Sequence, residues 1–181
     1  MRTLIASLLI VVASSVSGQQ RPPVDTAGAS HAVLGRFAGD WEALGRLWRS
    51  SDPSVPPIEG NIRFSAAMVM DGRFLVERMT SQPPSRPFEQ VRVIGYDNLT
   101  RRYEAAIYDS RGTNIIRATG ELTPAGDLVL RYSYTDLGTR ASVTRRTVRK
   151  LISASEWIET AYETTGRLER KATEIQAHKK P

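Results

Sequence analysis

Ten short runs of alternating apolar and polar residues follow one another from Trp41 to the end of the chain. Turn residues close each run, and no connection is long enough for the crossover helix that parallel strands require. The pattern therefore predicts antiparallel strands throughout. The predicted strands are Trp41–Trp48, Glu59–Met70, Phe74–Thr80, Gln90–Asp97, Arg102–Tyr108, Asn114–Leu122, Leu128–Tyr134, Arg140–Ile152, Glu156–Thr164 and Leu168–Ala177.

An open sheet of ten strands would leave two unpaired edges, and exposed edges invite aggregation. Pairing the first strand with the last removes both, so we expect an all-β fold, a closed up-and-down antiparallel barrel of about ten strands. A two-sheet sandwich is the alternative, but its Greek-key crossings need longer connections. Asp71-Gly72 predicts a two-residue type I′ turn after the second strand. The Pro-rich loops Ser50–Pro57 and Ser81–Pro87 follow the first and third strands, which places both at the same end of the barrel.

The residues before the barrel divide into three segments. Residues 1–18 place Arg2 before an apolar run and end in small residues, the order of a cleaved secretory signal peptide. The apolar run is about half of the roughly 20 residues that a membrane span needs. Residues 19–29 read as a polar linker, and a short helix is predicted from Ser30 to about Phe37. Residues 30–178 then form one barrel domain of a secreted or periplasmic protein with no membrane span.

Composition removes several classes of function. The chain has no Cys, which excludes thiol catalysis and thiolate metal sites. Its two His residues, His31 and His178, lie outside the predicted strands, and a zinc site needs three or four ligands. We therefore expect no metal and no cofactor, haem included. The formal charge is +6, but the 21 Arg residues are spread along the chain among acids, so we expect a solvated surface and no nucleic-acid partner.

Spaced motifs along the chain resemble those of the domain-of-unknown-function family 1579. They include Gly39-Asp40-Trp41, Met70–Leu75, Ile94–Asn98 and Tyr108–Thr113. The resemblance extends from about His31 to Ala177 and implies a calycin-type barrel, the group of lipocalins and fatty-acid-binding proteins. It implies no activity, because none is established for the family. Tyr108 departs from the Trp expected there in many members.

Gly39-Asp40-Trp41 also resembles the Gly-x-Trp motif of lipocalins. That resemblance implies that Trp41 fills the closed end of the barrel beneath a basic side chain from a late strand. Arg146 or Arg170 would then stack on the indole as a cation–π contact.

Tyrosine supplies the main candidates for a ligand site. The six Tyr residues lie on four predicted strands, where inward rings would give an apolar wall with a few hydroxyls. The alternative is that they fill a solid core. Tyr103 and Tyr108 have opposite parity on one strand, so Tyr108 would face inward only past a β-bulge. Trp48 lies near a Pro-rich loop, where it would contact the ligand as part of a lid. The predicted ligand-binding residues are Trp48, Glu59, Tyr96, Tyr103, Tyr108, Tyr162 and Glu163.

Seven carboxylates lie on or at the ends of strands, and strand alternation favours outward positions, paired with Arg, for most of them. We therefore favour an exported protein that holds a small, largely apolar ligand and is not an enzyme. One alternative is a solid barrel that docks a partner or forms a homodimer. A further alternative is a hydrolase or isomerase, which needs two inward carboxylates with raised pKa in one pocket. No catalytic residue is assigned.

Overall fold

A computed structural model describes residues 25–81, 87–136 and 138–180. The predicted signal peptide and most of the predicted linker lie outside these residues. Within these ranges, no helix has the length and apolar character that crossing a membrane requires. The elements are α1 (Ala29–Gly35), β1 (Gly39–Leu47), β2 (Ile58–Val69), β3 (Phe74–Ser81), β4 (Phe88–Asp97), β5 (Arg102–Asp109), β6 (Ile116–Leu122), β7 (Leu128–Thr135), β8 (Ser142–Ser153), β9 (Glu156–Thr165) and β10 (Leu168–Lys179).

The ten strands form a closed antiparallel barrel, which confirms the predicted fold. Each strand pairs with its neighbours in sequence, and β1 pairs with both β2 and β10. The pairing of β1 with β10 therefore leaves neither of these strands with an unpaired edge. β10 runs two residues further than predicted, so His178 lies on a strand after all. It is exposed opposite Glu42, on the outer face of the barrel.

The end of the barrel beside α1 is closed by a buried apolar core. Trp41 is 1% exposed, its ring meets Trp157 edge-on at 5.9 Å, and its Nε1 donates to the Phe37 carbonyl at 3.0 Å. The cation near the indole is Lys179, whose Nζ lies 5.5 Å from the ring centroid. Lys179 is opposite Trp41 in the β1–β10 register, so the expectation of Arg146 or Arg170 at this place is wrong.

The turn between β2 and β3 differs from the prediction by one residue. Val69 pairs with Phe74, which leaves four residues in the connection. Met70, Asp71 and Gly72 all have positive φ, at 52°, 57° and 79°. The positive-φ stretch therefore begins at Met70 and includes three residues, where the predicted type I′ turn has two.

Candidate ligand-binding site

Four charged side chains cross the interior at the middle of the barrel. We call Glu77, Arg92, Arg149 and Glu159 the ion quartet. They occupy inward positions because strand alternation places Glu77 between Leu75 and Met79, and the strand registers align Glu77 with Arg92 and Arg149 with Glu159. All four are buried.

Each cation of the ion quartet contacts both carboxylates. Arg92 donates to the two oxygens of Glu159 at 2.9 and 3.2 Å, and its Nε lies 3.6 Å from Glu77. Arg149 donates from Nε to Glu159 at 2.8 Å, and from Nη1 and Nη2 to Glu77. The Arg149 guanidinium also lies over the Trp157 ring at 4.6 Å.

Mutual attraction keeps Glu159 and Arg149 ionised despite their burial. Burial alone would raise the pKa of Glu159, but the charges of Arg92 and Arg149 outweigh it and hold that pKa well below the ordinary value of 4.5. Burial likewise opposes the charge on Arg149, and the two carboxylates overcome it and raise its pKa. Four buried charges of zero net sum therefore separate the apolar closed end from the rest of the interior.

On the other side of the ion quartet the interior is partly open to solvent. We call this region the cup. Most of its inward side chains are half-buried, whereas most of those at the closed end are buried. The difference follows from position, since the cup lies at the end where the connections after β1, β3, β5, β7 and β9 emerge. The residues that define the cup are Gly45, Gly60, Ile62, Gln90, Tyr132, Tyr134, Arg145, Glu163, Arg170, Thr173 and Ile175.

One wall of the cup is apolar and has room beside it. Gly45 and Gly60 pair across β1 and β2, with Ile62 and Ile175 next to them. The Ile62 side chain fills the space beside Gly45, where a Cβ would lie 2.5 Å from Ile62 Cδ1. A Cβ on Gly60 would meet no atom within 4 Å. The β2 wall therefore leaves interior space next to its backbone.

The facing wall, on β7 to β10, is polar. Glu163 accepts from the Tyr134 hydroxyl at 2.8 Å and from Arg170 Nη2 at 2.8 Å. Arg145 lies 3.8 Å from the same carboxylate and donates through Nη2 to the Thr173 hydroxyl at 2.8 Å. A register shift between Lys171 and Thr173 brings Arg170 and Thr173 to this wall together, although they lie three residues apart.

The polar wall is partly desolvated, and not all of its donors are used. Burial raises the pKa of Tyr134 to about 12, and the hydrogen bond to Glu163 adds to this effect. Burial also raises the pKa of Tyr132, with Arg145 acting in the opposite direction. Arg145 Nε, in this wall, is buried without a hydrogen-bond acceptor among the described residues, as are Arg92 Nε of the ion quartet and Trp157 Nε1 at the closed end. Such unpaired donors are costly in a low-dielectric site.

Of the seven predicted ligand-binding residues, the structure places only Glu163 in the cup. Tyr96 and Tyr103 face inward, as the parity of Tyr103 predicted, but they belong to the closed end. Their rings pack together at 5.0 Å, and the Tyr103 hydroxyl donates to the Ser30 carbonyl. Tyr103 therefore lies in a packed core, whereas Tyr96 also borders a groove on the outside of the barrel.

The other four predicted residues lie away from the interior. Tyr108 is exposed on the outer wall, since no bulge interrupts β5. Tyr162 lies beneath Arg146 on the outer wall at 4.2 Å. Glu59 pairs outside with Arg46. Trp48 follows the end of β1, where Lys171 lies 4.3 Å from its ring. Tyr108, Tyr162 and Glu59 occupy strand positions whose side chains point outward. Trp48 lies beyond the last residue of β1.

The prediction that most strand carboxylates point outward is wrong. Glu59, Glu104 and Glu174 do so, but four others have inward register: Glu77, Asp109, Glu159 and Glu163. The enzymatic alternative required raised pKa values in such a pair, and Glu159 has a lowered one. Within the described ranges no three His, Asp or Glu side chains converge as metal ligands.

The cup residues missing from the predicted site could have been found from parity. Tyr132 and Tyr134 alternate in phase with the buried Leu128 and Leu130 of β7. The same signal would have found Glu159 of the ion quartet, which alternates in phase with Trp157 on β9. A large apolar residue on a strand marks its inward face, and that signal extends to the polar residues two and four positions away.

A second concavity lies outside the barrel. It is a half-open groove of about 590 Å³ between the segment before α1 and the outer face of β4 to β6. Val93 and Ala106 are among its lining residues. The segment before α1 is hydrogen-bonded there, since Arg73 donates to the Asp25 carbonyl and Asn98 donates to the Thr26 carbonyl. We assign the site to the cup because its interior is partly open and its polar wall includes Arg145 Nε, a buried donor without an acceptor among the described residues.

The chain belongs to the family described as Protein of unknown function (DUF1579), whose sequence model matches residues 26–179. No curated protein matches it. Among solved structures, the S-type phycobiliprotein lyase CPES from Guillardia theta is similar, with a TM-score of 0.56 and 12% identity over 84% of this chain and 93% of that one. At this identity the likeness shows a shared barrel fold alone.

Proposed function

We propose that this member of the family is an exported binding protein that holds a small, largely apolar ligand in the cup. The observation that carries the proposal is the contrast between the two ends of the interior. Side chains of the closed end are buried, whereas inward side chains of the cup are partly exposed, and a Cβ on Gly60 would meet nothing. A barrel whose interior is filled at one end and open at the other has the form of a container.

Two further features support the proposal. The β2 wall offers Ile62 and backbone at Gly60 as an apolar surface, and the opposite wall offers a few polar groups that would orient a ligand. The leader pattern of residues 1–18 supports export. If the leader is removed, N-terminal sequencing of protein from its own source should begin near Gln19. A sequence that begins at Met1 would contradict export.

Filling the cup tests the binding function directly. Gly60→Phe adds a ring where the structure has space, so it should abolish uptake of a fluorescent polyene fatty acid while the melting midpoint changes little. Asn61→Phe adds the same ring one residue later on the exposed outer face of β2 and should leave uptake unchanged. Equal uptake by Gly60→Phe and the unmodified chain would overturn the proposal.

Native mass spectrometry of protein purified from its own source separates binding from docking. A retained small-molecule mass is the expected result. A homodimer with an empty interior would instead support the alternative of an interaction module. Among the described residues, the large exposed apolar side chains lie mostly at strand ends and in turns, not in a strip along the early strands that the docking alternative would favour.

A further inference from the structure

Positive charge exceeds negative charge inside the described part of the barrel, from the ion quartet to the polar wall. Four guanidinium groups and three glutamates lie at inward positions of β3, β4, β8, β9 and β10. They are Arg92, Arg145, Arg149 and Arg170 with Glu77, Glu159 and Glu163. Asp109, at the cup end of β5, is already bound by Arg111 of its own turn at 2.9 and 3.4 Å. One interior cation is therefore left without a carboxylate of its own.

The excess cation belongs to the polar wall. The ion quartet is neutral and internally paired, which leaves Arg145 and Arg170 to share Glu163. Arg170 has the closer contact, at 2.8 Å, and also donates to the Trp48 carbonyl. Arg145 lies 3.8 Å from Glu163, and its Nε has no acceptor among the described residues. Arg145 is therefore the less satisfied cation.

Donors also exceed acceptors around Arg145. Thr173 accepts from Arg145 Nη2 through its hydroxyl oxygen, so its own O–H remains available to donate. The Tyr134 hydroxyl and both Glu163 oxygens are already engaged with each other and with Arg170. Among the described residues, Arg145 Nε has no acceptor and the Thr173 hydroxyl is seen to accept only, so a ligand with two acceptor oxygens would satisfy both donors.

We propose that the ligand is an amphiphile with a single carboxylate, and that Arg145 and Thr173 bind that carboxylate in the cup. The proposal rests on the proposed function. One oxygen would accept from Arg145 Nε and the other from the Thr173 hydroxyl, an arrangement that suits two oxygens on one planar group. A single negative charge balances the single excess cation.

The apolar part of such a ligand has a defined place. β2 lies four strands from β8 around the ten-strand barrel, which puts the wall at Gly60 and Ile62 nearly opposite Arg145. A chain bound by its carboxylate at Arg145 would therefore extend across the cup toward Gly60, where an added Cβ meets no atom within 4 Å. The ion quartet prevents it from extending toward the closed end, because an apolar chain that displaced one partner would leave a buried charge unpaired.

The first test uses the unmodified full-length chain. Binding of a fluorescent polyene fatty acid and of its methyl ester is measured by titration at pH 7.5, where the acid is ionised. The two probes share an apolar chain and differ in the charge of the head group. We expect the acid to bind at least about tenfold more tightly, which a charge-assisted hydrogen bond to Arg145 in a partly desolvated site justifies.

The second test assigns the preference to one residue. Arg145→Gln should weaken binding of the acid about tenfold and leave binding of the ester unchanged. Arg146→Gln removes the neighbouring guanidinium, which lies on the outer wall with Glu169 at 3.0 Å, and should change neither affinity. Thr173→Val should weaken binding of the acid and leave binding of the ester unchanged. Its effect should be smaller than that of Arg145→Gln.

Three outcomes separate this inference from the proposed function. If neither probe binds, the proposed function fails and the inference fails with it. If both probes bind with equal affinity, the proposed binding function is supported and the carboxylate site is refuted. If the acid is preferred but Arg145→Gln keeps the preference, the assignment to Arg145 is refuted. The comparison of acid with ester requires no variant, so it is decisive even where Arg145→Gln lowers the melting midpoint.

Discussion

Replacing Arg149 tests how the ion quartet holds the barrel together. Its guanidinium donates to both Glu77 and Glu159 and lies against the Trp157 ring. Arg149→Met keeps most of the side-chain volume but leaves two buried carboxylates with Arg92 as their only cation in the ion quartet. Removing one partner of a buried ion pair costs about 3–5 kcal/mol, so we expect the free energy of unfolding to fall by about 4 kcal/mol.

Urea and thermal melts measure this loss. For a chain of this size, 1 kcal/mol corresponds to a shift of about 2–4 °C, so the melting midpoint should fall by roughly 8–16 °C. Arg146→Met is the matched control, because Arg146 lies on the same strand but forms an exposed pair with Glu169. That pair is worth at most about 1 kcal/mol. Equal effects of the two substitutions would refute the reasoning.

A double variant distinguishes lost charge balance from lost packing. Glu77→Met added to Arg149→Met leaves Arg92 and Glu159, which form two hydrogen bonds at 2.9 and 3.2 Å and carry no net charge. The double variant should therefore lose less than the sum of the two single losses, by at least about 1 kcal/mol. Strict additivity would show that the charges of the ion quartet are not coupled.

Two predictions concern the closed end and acid stability. Trp41→Ala should lower the free energy of unfolding by about 3–5 kcal/mol in urea melts, because the indole is buried, whereas Trp48→Ala should cost clearly less, and the reverse order would contradict the closed-end assignment. The pKa of Glu159 is lower in the folded chain than in the unfolded chain, so its contribution is present above about pH 4.5 and is lost as the pH falls below that value. Glu159→Gln should therefore reduce the loss of stability between pH 7 and pH 3, and an unchanged loss would refute this origin.

The barrel itself could be predicted from the sequence because its evidence is local. Each strand carries its own alternation, and turn residues separate the strands, so only closure required a further argument about edges. The turn after β2 was misplaced by one residue. Asp71-Gly72 marked a reversal, but the torsions of Met70 depend on where Val69 and Phe74 pair.

The site was harder to predict because it depends on register and on one irregularity. Both faces of β8 carry basic residues, so alternation alone cannot say whether Arg145 or Arg146 faces inward. The pairing of Arg145 with Glu163 decides that question. The register shift near Lys171 then brings Thr173 to the same wall, against the parity that a regular strand would impose. Residues brought together in this way leave little trace in a single sequence.

The position of the ion quartet explains why the cup has a polar floor. Apolar residues of similar volume would bury more cheaply than four charges, so packing alone does not account for Glu77, Arg92, Arg149 and Glu159. With apolar residues at these positions, the cup would continue into the closed end as one apolar interior. With charges there, any group that displaces a partner leaves a buried ion unpaired, so a ligand of the proposed kind would be confined to the cup.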